Sequence, residues 1–411
     1  MKQRSFPSVN EQMDLIRRGT AEILPEDELV RKLEQSIRSA TPLNIKLGCD
    51  PSRPDLHLGH SVVLRKLRHF QDLGHKAILI VGDFTGMIGD PAGRNKTRPS
   101  LTLEETRENG RSYFEQASAI LDIDNLEIRY NSDWLAPMTF EDVIKLAARY
   151  TVARMLERDD FEKRYRNQEA ISVHEFLYPL AQAMDSVAIR SDVELGGTDQ
   201  KFNLLVGRDI QREYGQAAQV ILTMPLLEGT DGIEKMSKSL DNYIAFTDRP
   251  EEMFGKTLSI PDHLIIPYFR LATDISSEHI AAIQEGMASG KNPMEYKREL
   301  ARCIVTYYHN DDAALAAEAH FDRVVRNKTA PEDVAEFHLS DEGDTLVLDV
   351  IVQAGLVQSK SEGRRLMMQS AVSVDEIRIT DPMSKLPEGD EFIVKVGKRR
   401  FVKILRKPTN H

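Results

Sequence analysis

The sequence predicts a doubly wound α/β domain with a parallel sheet over residues 1–248, an α-helical domain over 249–330 and a small α+β domain over 345–411. Two observations support this fold class. Up to residue 248, short apolar or alternating runs typical of strands take turns with amphipathic helical patterns, as in βαβ units. Beyond it, helical patterns such as 293–308 take over, and short strands return only within 391–405. The first domain is therefore expected to be Rossmann-like.

The chain begins with two helices and the first βαβ unit. Residues 8–11 form a capping box for the first helix, and Pro25 suits the first turn of the second. The run 43–49 alternates apolar and polar residues, which predicts a strand with one face in the core and one face free. A helix at 61–74 and a buried apolar strand at 77–81 complete the unit.

The alternation of strands and helices continues to the end of the first domain. A loop at 82–93 holds more glycines than a plain surface loop needs. The following elements are expected: a helix from 102 to 121, a strand at 126–130, helices from 139 and from 173, a strand at 193–195, a helix after 197 and a strand at 220–222.

The C-terminal part differs from the rest in charge. Residues 331–344 hold six Asp and Glu residues and no Lys or Arg, and this Pro- and Gly-punctuated stretch predicts a linker. Residues 345–411 carry 12 Lys and Arg against 8 Asp and Glu, a balance of +4, whereas the whole chain carries −11. They include a capped basic helix at 359–366. Since phosphate contacts depend on local patches, an acidic protein with a basic end can still bind RNA.

Composition narrows the class of protein. With 29% charged and 41% hydrophobic residues, the chain is typical of a globular protein in water. No apolar run approaches the roughly 18–20 residues that span a bilayer, and the first residues lack the apolar segment of a signal peptide. Cys49 and Cys303 fall in a predicted strand and a predicted helix, which indicates buried free thiols in a reducing compartment. We therefore expect a cytoplasmic protein without a membrane partner.

Two histidines mark the first strand-to-helix connection. His57 and His60 lie where the strand at 43–49 passes to the helix, at the sheet edge where ligands usually bind and where the helix N-terminus favours anions. By itself, such a pair is more often a capped helix start, a surface pair or half of a metal site. Residues 235–239 (Lys-Met-Ser-Lys-Ser) favour a catalytic role for the two histidines over these alternatives. They follow a Gly-rich turn and suit a mobile loop that closes cations onto phosphates.

Together and in this order, the two segments resemble the two signatures of class I aminoacyl-tRNA synthetases. Activating a carboxylate with ATP needs little acid–base machinery, because the attacking oxygen is already an anion. The resemblance implies that the histidines stabilise the α-phosphate side of the transition state and that the lysines hold the leaving pyrophosphate, with two arginines as helpers. These expected catalytic residues are His57, His60, Lys235, Lys238, Arg94 and Arg98.

The same resemblance implies an ATP site. Asp199 follows Gly196 and Gly197 at a strand-to-helix turn and is set to accept the ribose hydroxyls, although a Gly-Gly pair alone is weak evidence. Gly59 would let adenine lie flat. The expected ATP contacts are Gly48, Asp50, Ser52, His57, Gly59, His60, Gly197, Asp199, Leu226, Leu227, Lys235, Ser237 and Lys238. Mg²⁺ is expected to arrive with ATP, because no cluster of candidate ligands suggests a dedicated metal site.

A polar stripe on one predicted helix indicates the amino acid. Tyr178, Gln182 and Asp185 are spaced i, i+4 and i+7, so they share one face, and without polar partners they would cost stability. Alone, a solvated stripe fits as well as a pocket. With the two signatures, the stripe resembles tyrosyl-tRNA synthetases. This implies that Tyr178 and Gln182, together with Asp90, hold the ammonium group of tyrosine. Asp185 would accept from the phenol hydroxyl, and Gln200 would complete the site.

Lys46 departs from this family pattern. The better-known branch of the family has a tyrosine at the aligned position, where it supplies a second contact to the phenol. By the strand alternation Lys46 shares a face with Asp50, so it belongs to the expected tyrosine pocket. We expect Lys46 not to contact the phenol in the usual way, but to pair with Asp50 or Asp83.

The resemblance covers nearly the whole chain and implies partners as well as a reaction. The last domain resembles the S4 RNA-binding fold, in which a basic helix contacts the RNA backbone, here through Lys360, Arg364 and Arg365. The alternative is a basic face that only keeps a small domain soluble. tRNA(Tyr) and L-tyrosine are the expected partners, and a homodimer is expected from the resemblance alone.

Three other functions remain to be tested against this one. Tryptophanyl-tRNA synthetases share the fold, but the stripe at Tyr178, Gln182 and Asp185 argues against tryptophan. Nucleotidyltransferases that act on small phosphates carry the same two signatures, yet those chains are usually short and lack the helical and S4-like parts. A non-enzymatic RNA-binding protein would explain the basic end of the chain and leave both signatures without a purpose.

Overall fold

A six-stranded sheet lies at the centre of the N-terminal part of the chain. Its strands are β1 (Glu22–Leu24), β2 (Asn44–Cys49), β3 (Lys76–Val81), β4 (Leu126–Tyr130), β5 (Val193–Gly197) and β6 (Val220–Met224), in the order β1-β6-β5-β2-β3-β4. Strands β2 to β6 are parallel, and β1 pairs antiparallel with β6 at one edge. This computed structural model describes residues 6–50, 55–90, 103–323, 335–339, 345–375, 377–387, 389, 391–397 and 400–406.

The strand order fixes where a ligand can bind. From β2 the chain continues to β3 and β4 on one side, whereas β5 and β6 lie on the other side. The order therefore reverses between β2 and β5, and in sheets of this kind the carboxyl ends of the strands at the reversal open a crevice. The predicted parallel α/β class is confirmed, and the histidines at the exit of β2 lie beside this crevice.

Helices fill the connections between these strands. They are α1 (Val9–Arg17), α2 (Glu26–Ser39), α3 (Leu58–Asp72), α4 (Thr85–Ile88), α5 (Leu103–Ala117), α6 (Ser132–Leu135), α7 (Phe140–Ala147), α8 (Val152–Met155), α9 (Asp159–Arg166), α10 (Val173–Ile189) and α11 (Lys201–Glu213). Short 3-10 turns occur at Ile123–Asn125, Thr198–Gln200, Lys238–Leu240 and Asp262–Leu264. The capping box predicted for α1 is present, since Ser8 and Glu11 each accept from the other's backbone N–H.

Strand β2 is buried on both faces, which corrects one expectation. The sequence alternation predicted one free face, but β2 is a central strand between β3 and β5, and the helices α3 and α10 both pack on it. Ile45, Lys46 and Leu47 are all buried in consequence. An alternating pattern normally indicates a half-exposed strand, and here the polar member of the pattern is buried with polar partners instead of facing water.

A helical segment follows the sheet. Its helices are α12 (Pro250–Ser259), α13 (Ile265–Ala272), α14 (Ser277–Ala288), α15 (Pro293–Tyr308) and α16 (Asp311–Phe321). α12 and α13 both pack on α15, and large side chains such as Phe254, Tyr268 and Phe269 are fully buried. The chain divides into two compact units after Glu318, so residues 249–318 share one unit with the sheet and the division lies earlier than the predicted 330.

The C-terminal unit is built on a five-stranded sheet. Its strands are β7 (Glu336–Leu339), β8 (Val372–Val374), β9 (Ile377–Arg378), β10 (Glu391–Val396) and β11 (Arg400–Arg406), in the order β7-β11-β10-β8-β9, with helices α17 (Val347–Gln353) and α18 (Lys360–Met368). β7 lies within the predicted linker 331–344 and pairs in parallel with β11, burying Leu339. That expectation was therefore wrong for 336–339, because an acidic stretch can still supply an edge strand.

Candidate active site

The turn that joins β2 to α3 fixes two imidazoles. His57 is the N-cap of α3, and its Nδ1 accepts a hydrogen bond from the Gly59 backbone N–H at 3.2 Å. The Nδ1 atom of His60 accepts from the His57 backbone N–H, also at 3.2 Å. Because a backbone N–H can only donate, both Nδ1 atoms are unprotonated acceptors, and each neutral ring carries its proton on Nε2.

Both imidazoles are uncharged at neutral pH. Burial, then the neighbouring His60, Lys238 and Lys235, lower the pKa of His57 to about 2. Burial, then Lys238 and Lys235, lower the pKa of His60 to about 4. The turn therefore presents two neutral Nε2–H donors at the mouth of the crevice, without placing positive charge there.

The segment 235–239 is held against this turn. Met236 N donates to Leu227 O at 2.8 Å, which closes a short hairpin, and Met236 Sδ lies 3.3 Å from Gly59 N. Ala245, which follows the segment in the sequence, forms an isolated β-bridge with His57. The two signature segments, which lie far apart in the sequence, therefore meet at one edge of the sheet, as the sequence predicted.

The two lysines of the segment are paired with carboxylates. Lys235 Nζ lies 2.9 Å from Asp199 Oδ2, and Lys238 Nζ lies 2.7 Å from Asp55 Oδ2. Asp199 follows β5 and Asp55 precedes the histidine turn, so each lysine reaches across to one wall of the crevice.

A cavity of about 350 Å³ extends from this edge into the sheet. The ends of β2 and β5 form one wall, and the polar face of α10 forms another. The predicted site residues that line it are Gly48, Asp50, His60, Asp90, Tyr178, Gln182, Asp185, Gly197, Asp199 and Gln200. The polar stripe on α10 therefore faces a pocket. The sequence alone fitted a solvated stripe equally well, and the structure favours the pocket.

The floor of the cavity is a hydrogen-bonded network around Asp50. Tyr178 Oη donates to Asp50 Oδ2 and Thr85 Oγ1 donates to Asp50 Oδ1, each at 2.7 Å. Burial, followed by the charge of Asp50, raises the pKa of Tyr178 well above its ordinary value, so the phenol stays protonated. Gly82 lies directly against Asp50, where a Cβ would overlap the carboxylate oxygen, so the network requires glycine there.

Asp185 lies at the opposite end of the stripe from Tyr178. Its Oδ1 accepts from Trp134 Nε1 at 2.9 Å, and its Oδ2 lies 3.5 Å from Asn131 Nδ2. Burial raises the pKa of Asp185 to about 7, while the positive charge of Lys46 and the Trp134 N–H act in the opposite direction. This carboxylate can accept a further hydrogen bond from a group that enters the cavity.

Comparison with known proteins identifies the family of this chain. The family model for class I tRNA synthetases (W and Y) matches residues 38–326, and the S4 domain model matches residues 347–392. A tyrosine–tRNA ligase of Chlorobaculum tepidum is 59% identical over 98% of this chain and 98% of its own. One from Salinibacter ruber is 57% identical over 99% of each chain.

The chain belongs to the tyrosine–tRNA ligase family. Among solved structures, the tyrosyl-tRNA synthetase of Archaeoglobus fulgidus, complexed with L-tyrosine, matches with a TM-score of 0.61 at 24% identity, covering 75% of this chain and 99% of that one. That likeness supports the tyrosine–tRNA ligase fold. The two family models also agree with the parallel α/β part followed by an S4 part that the sequence predicted.

Within this tyrosine–tRNA ligase chain, Lys46 does not lie where it was expected. Its Nζ pairs with Glu194 Oε1 at 2.8 Å, and both side chains are almost completely buried. Neither residue lines the cavity. The expected partners Asp50 and Asp83 were wrong, because β5 and not β3 presents an acid beside Lys46. Lys46 therefore lies behind the cavity wall, next to the residues that line it.

Three residues that contact cavity-lining carboxylates were not predicted from the sequence. Buried Arg158 donates to Asp90 Oδ1 at 3.0 Å, while Gln200 Nε2 holds Asp90 Oδ2 at 2.8 Å. Trp134 and Asn131 contact Asp185, as described above. Asn131 and Trp134 follow directly after β4, and their place at the carboxyl end of a predicted strand was a usable signal. Nothing in the sequence around Arg158 distinguished it.

The remaining predicted residues have varied surroundings. Leu226 is exposed beside Gly197, where a Cβ on Gly197 would lie 2.9 Å from it, while Leu227 is buried. Ser237 caps the turn Lys238–Leu240. On α18, Arg364 and Arg365 are exposed, and Lys360 Nζ pairs with Asp349 at 2.6 Å. Ser52, Arg94 and Arg98 lie outside the described residues.

The described residues contain no group of three or more His, Cys, Asp and Glu side chains arranged to hold a metal ion. None of the described helices combines the length and apolarity that crossing a membrane requires.

Proposed function

We propose that this chain activates L-tyrosine with ATP to give tyrosyl-adenylate and pyrophosphate, and then transfers the tyrosine to the 3′ end of tRNA(Tyr). One observation carries the proposal: a single cavity is lined by His60 and by the polar stripe of α10, and Lys235 pairs with Asp199, which also lines it. ATP phosphates suit the mouth, and an amino acid with a polar end suits the wall. The full-length similarity to tyrosine–tRNA ligases supports the same reaction.

The residues at the mouth suit phosphoryl chemistry. The tyrosine carboxylate attacks the α-phosphorus as an anion, so the reaction needs charge stabilisation and alignment in place of a general base. His57 and His60 donate from Nε2 to the α-phosphate side. Lys235 and Lys238 then stabilise the charge that develops on the leaving pyrophosphate. Arg94 and Arg98 are proposed as helpers, and Mg²⁺ is proposed to arrive bound to ATP.

The nucleotide would lie between the histidine turn and the end of β5. Asp199 accepts the ribose hydroxyls, and Gly59 leaves a flat surface for adenine because it has no side chain. Gly197 permits close approach beside Leu226, since any side chain at this position would meet Leu226 and Asp199. The remaining proposed contacts are Gly48, Asp50, Ser52, Leu227 and Ser237.

The wall of the cavity suits tyrosine. Tyr178, Gln182 and Asp90 surround the proposed position of the ammonium group, with Gln200 behind Asp90. Asp185 accepts from the phenol hydroxyl. Phenylalanine would leave this buried carboxylate without that partner, and tyrosyl-tRNA synthetases are an established example of this kind of rejection.

Partners and location extend the proposal. We assign tRNA binding to the exposed Arg364 and Arg365 of α18, together with Lys360. A homodimer is proposed from the family resemblance, and five exposed apolar or aromatic side chains within residues 140–173 offer a surface for it: Phe140, Ile144, Val152, Tyr165 and Val173. A cytoplasmic location is supported by the free thiols Cys49 and Cys303 and by the supply of ATP and tRNA there.

Pyrophosphate exchange into ATP tests the proposal directly. We expect exchange that depends on L-tyrosine and is lost with tryptophan or phenylalanine in its place. Exchange with tryptophan would identify the other amino acid of the family. Exchange without any amino acid would favour a nucleotidyltransferase. No exchange with any amino acid, combined with tight tRNA binding, would indicate an RNA-binding protein.

A further inference from the structure

We infer that the buried pair Lys46–Glu194 is a positioning device that turns the amide of Gln182, so that its oxygen faces the ammonium group of the bound amino acid. This inference rests on the proposed function, because it assigns a cause to the recognition of the amino group. Lys46 and Glu194 touch neither substrate. They act through Gln182, which lines the cavity.

The pair joins three elements behind the cavity wall. Lys46 lies on β2, Glu194 on β5 and Gln182 on α10. The Lys46 ammonium group donates to Glu194 Oε1 at 2.8 Å, to Gln182 O at 3.0 Å and to Ser186 Oγ at 2.9 Å. These three contacts use all three N–H bonds of the ammonium group. Lys46 is thus fully occupied by protein groups and has no hydrogen left for a substrate.

Glu194 is surrounded by donors. Its Oε1 accepts from Lys46 and from Gln182 Nε2, the latter at 3.1 Å. Its Oε2 accepts from Ser186 Oγ at 3.1 Å and from Gln219 Nε2. Every one of these four contacts comes from a donor, one of them a cation, so both carboxylate oxygens act as acceptors. An ionised carboxylate can accept hydrogen bonds but cannot donate one.

This sets the orientation of the Gln182 amide. An amide side chain offers NH₂ on one side and oxygen on the other, and the two orientations are nearly equal in shape. With an acceptor-only carboxylate behind it, the NH₂ of Gln182 must face Glu194. The oxygen is then left for the cavity, where an ammonium group needs an acceptor. In the opposite orientation the NH₂ would meet the ammonium group and repel it.

Removing either charge releases the amide. Glu194→Gln replaces the carboxylate by a second amide, and two amides can pair in either orientation. Lys46→Met leaves a buried carboxylate without its cation, which favours uptake of a proton and turns the carboxyl into a donor. Because Lys46→Met alone leaves a buried unpaired acid, it can fail to fold. The double variant Lys46→Met/Glu194→Gln removes both charges and avoids that outcome.

Calorimetric titration with three ligands tests the inference. L-Tyrosine and tyramine carry the ammonium group, whereas 3-(4-hydroxyphenyl)propanoate has the same phenol and a carboxylate without the amine. The proteins are the parent chain, Glu194→Gln, the double variant and the matched control Lys32→Met. Lys32 pairs with Asp192 at 2.9 Å, just before the same strand β5 and away from the cavity. Circular dichroism verifies the fold of each variant.

The expected result is selective. Glu194→Gln and the double variant should raise the dissociation constants of L-tyrosine and tyramine by about tenfold or more, which corresponds to the loss of one charge-assisted hydrogen bond. The dissociation constant of the amine-free ligand should change by less than about twofold. Lys32→Met should change none of the three dissociation constants. Equal weakening of all three ligands would show a structural role only, and unchanged L-tyrosine binding in both variants would also overturn the inference. A parent chain that does not bind L-tyrosine would instead contradict the proposed function.

Discussion

Lys238→Ala should slow tyrosine activation and leave tyrosine binding unchanged. Lys238 Nζ is 2.7 Å from Asp55 Oδ2, and Lys238 does not line the tyrosine cavity. Its proposed partner is the pyrophosphate, whose charge develops only as the bond to the α-phosphorus breaks. An interaction realised in the transition state raises the rate and does not tighten ground-state binding.

The magnitude follows from two opposing contributions. A charge-assisted hydrogen bond contributes about 1.5–3 kcal/mol. To make it, Lys238 must leave Asp55, and because Asp55 is 48% exposed, that pair stabilises the free enzyme by at most about 1 kcal/mol. With that full 1 kcal/mol subtracted, the net loss in Lys238→Ala is about 0.5–2 kcal/mol, or roughly a 2- to 30-fold lower rate of adenylate formation.

Stopped-flow or single-turnover formation of the adenylate measures this rate, and calorimetry measures the dissociation constant of L-tyrosine. Lys256→Ala is a matched control, because Lys256 also lies beside the Tyr243 ring, 5.2 Å from its centroid against 5.9 Å for Lys238, and pairs with Asp248. We expect Lys256→Ala to change the rate by less than about twofold. If Lys238→Ala lost tyrosine affinity and rate by the same factor, the segment would have a structural role and the reasoning would be refuted.

Four further perturbations test other parts of the chain. Gly82→Ala should lower the free energy of unfolding by about 2–4 kcal/mol in urea titrations, because its Cβ would overlap a carboxylate oxygen. At Gly48 a Cβ would meet nothing within 4 Å, so Gly48→Ala should change the free energy of unfolding by less than about 1 kcal/mol. Its methyl group should nevertheless weaken ligand binding. Equal stability of Gly82→Ala and Gly48→Ala would contradict the predicted difference between the two positions. Burial raises the pKa of Asp185 to about 7, so the carboxylate proposed to accept the phenol is present above this pH and is lost as the pH falls through it. L-Tyrosine affinity should fall over that range and that of phenylalanine should not, and a flat tyrosine profile would remove Asp185 from the phenol contact. Arg364→Ala/Arg365→Ala should raise the KM for tRNA and flatten its salt dependence without altering pyrophosphate exchange, and unchanged charging would refute the role of α18.

Local signals in the sequence predicted the elements well. α15 begins and ends at the residues expected from its periodicity, Pro293 and Tyr308. The caps at Ser8 and Ser359 depend on contacts three residues apart, so they can be read directly from the sequence. The edge strands β1 and β7 were not predicted. They are short, and their pairing depends on strands that are distant in the sequence.

The candidate site was predicted where motifs exist and missed where only the fold creates a contact. The histidine turn and the segment 235–239 were found because both have recognisable residue patterns. Arg158 and Trp134 were missed because their contacts with Asp90 and Asp185 arise only when distant helices pack on the sheet. The partner of Lys46 was misassigned for the same reason. Strand periodicity gives the face of a side chain but not the neighbouring strand that it meets.

The charges around the cavity explain how such a site can accelerate activation without holding ATP too tightly. Four described cations near it are each paired with an acid: Lys235 with Asp199, Lys238 with Asp55, Arg158 with Asp90 and Lys46 with Glu194. The histidines remain neutral, because burial prevents their protonation. Incoming ATP therefore gains less from these groups in the ground state than it would from free cations. In the proposed reaction, as charge moves onto the leaving pyrophosphate, the lysines would gain more from the phosphate than from their carboxylates, and the hydrogen bonds from the neutral Nε2–H donors would strengthen with the growing negative charge. Binding energy is thus shifted from the ground state to the transition state, where it raises the rate.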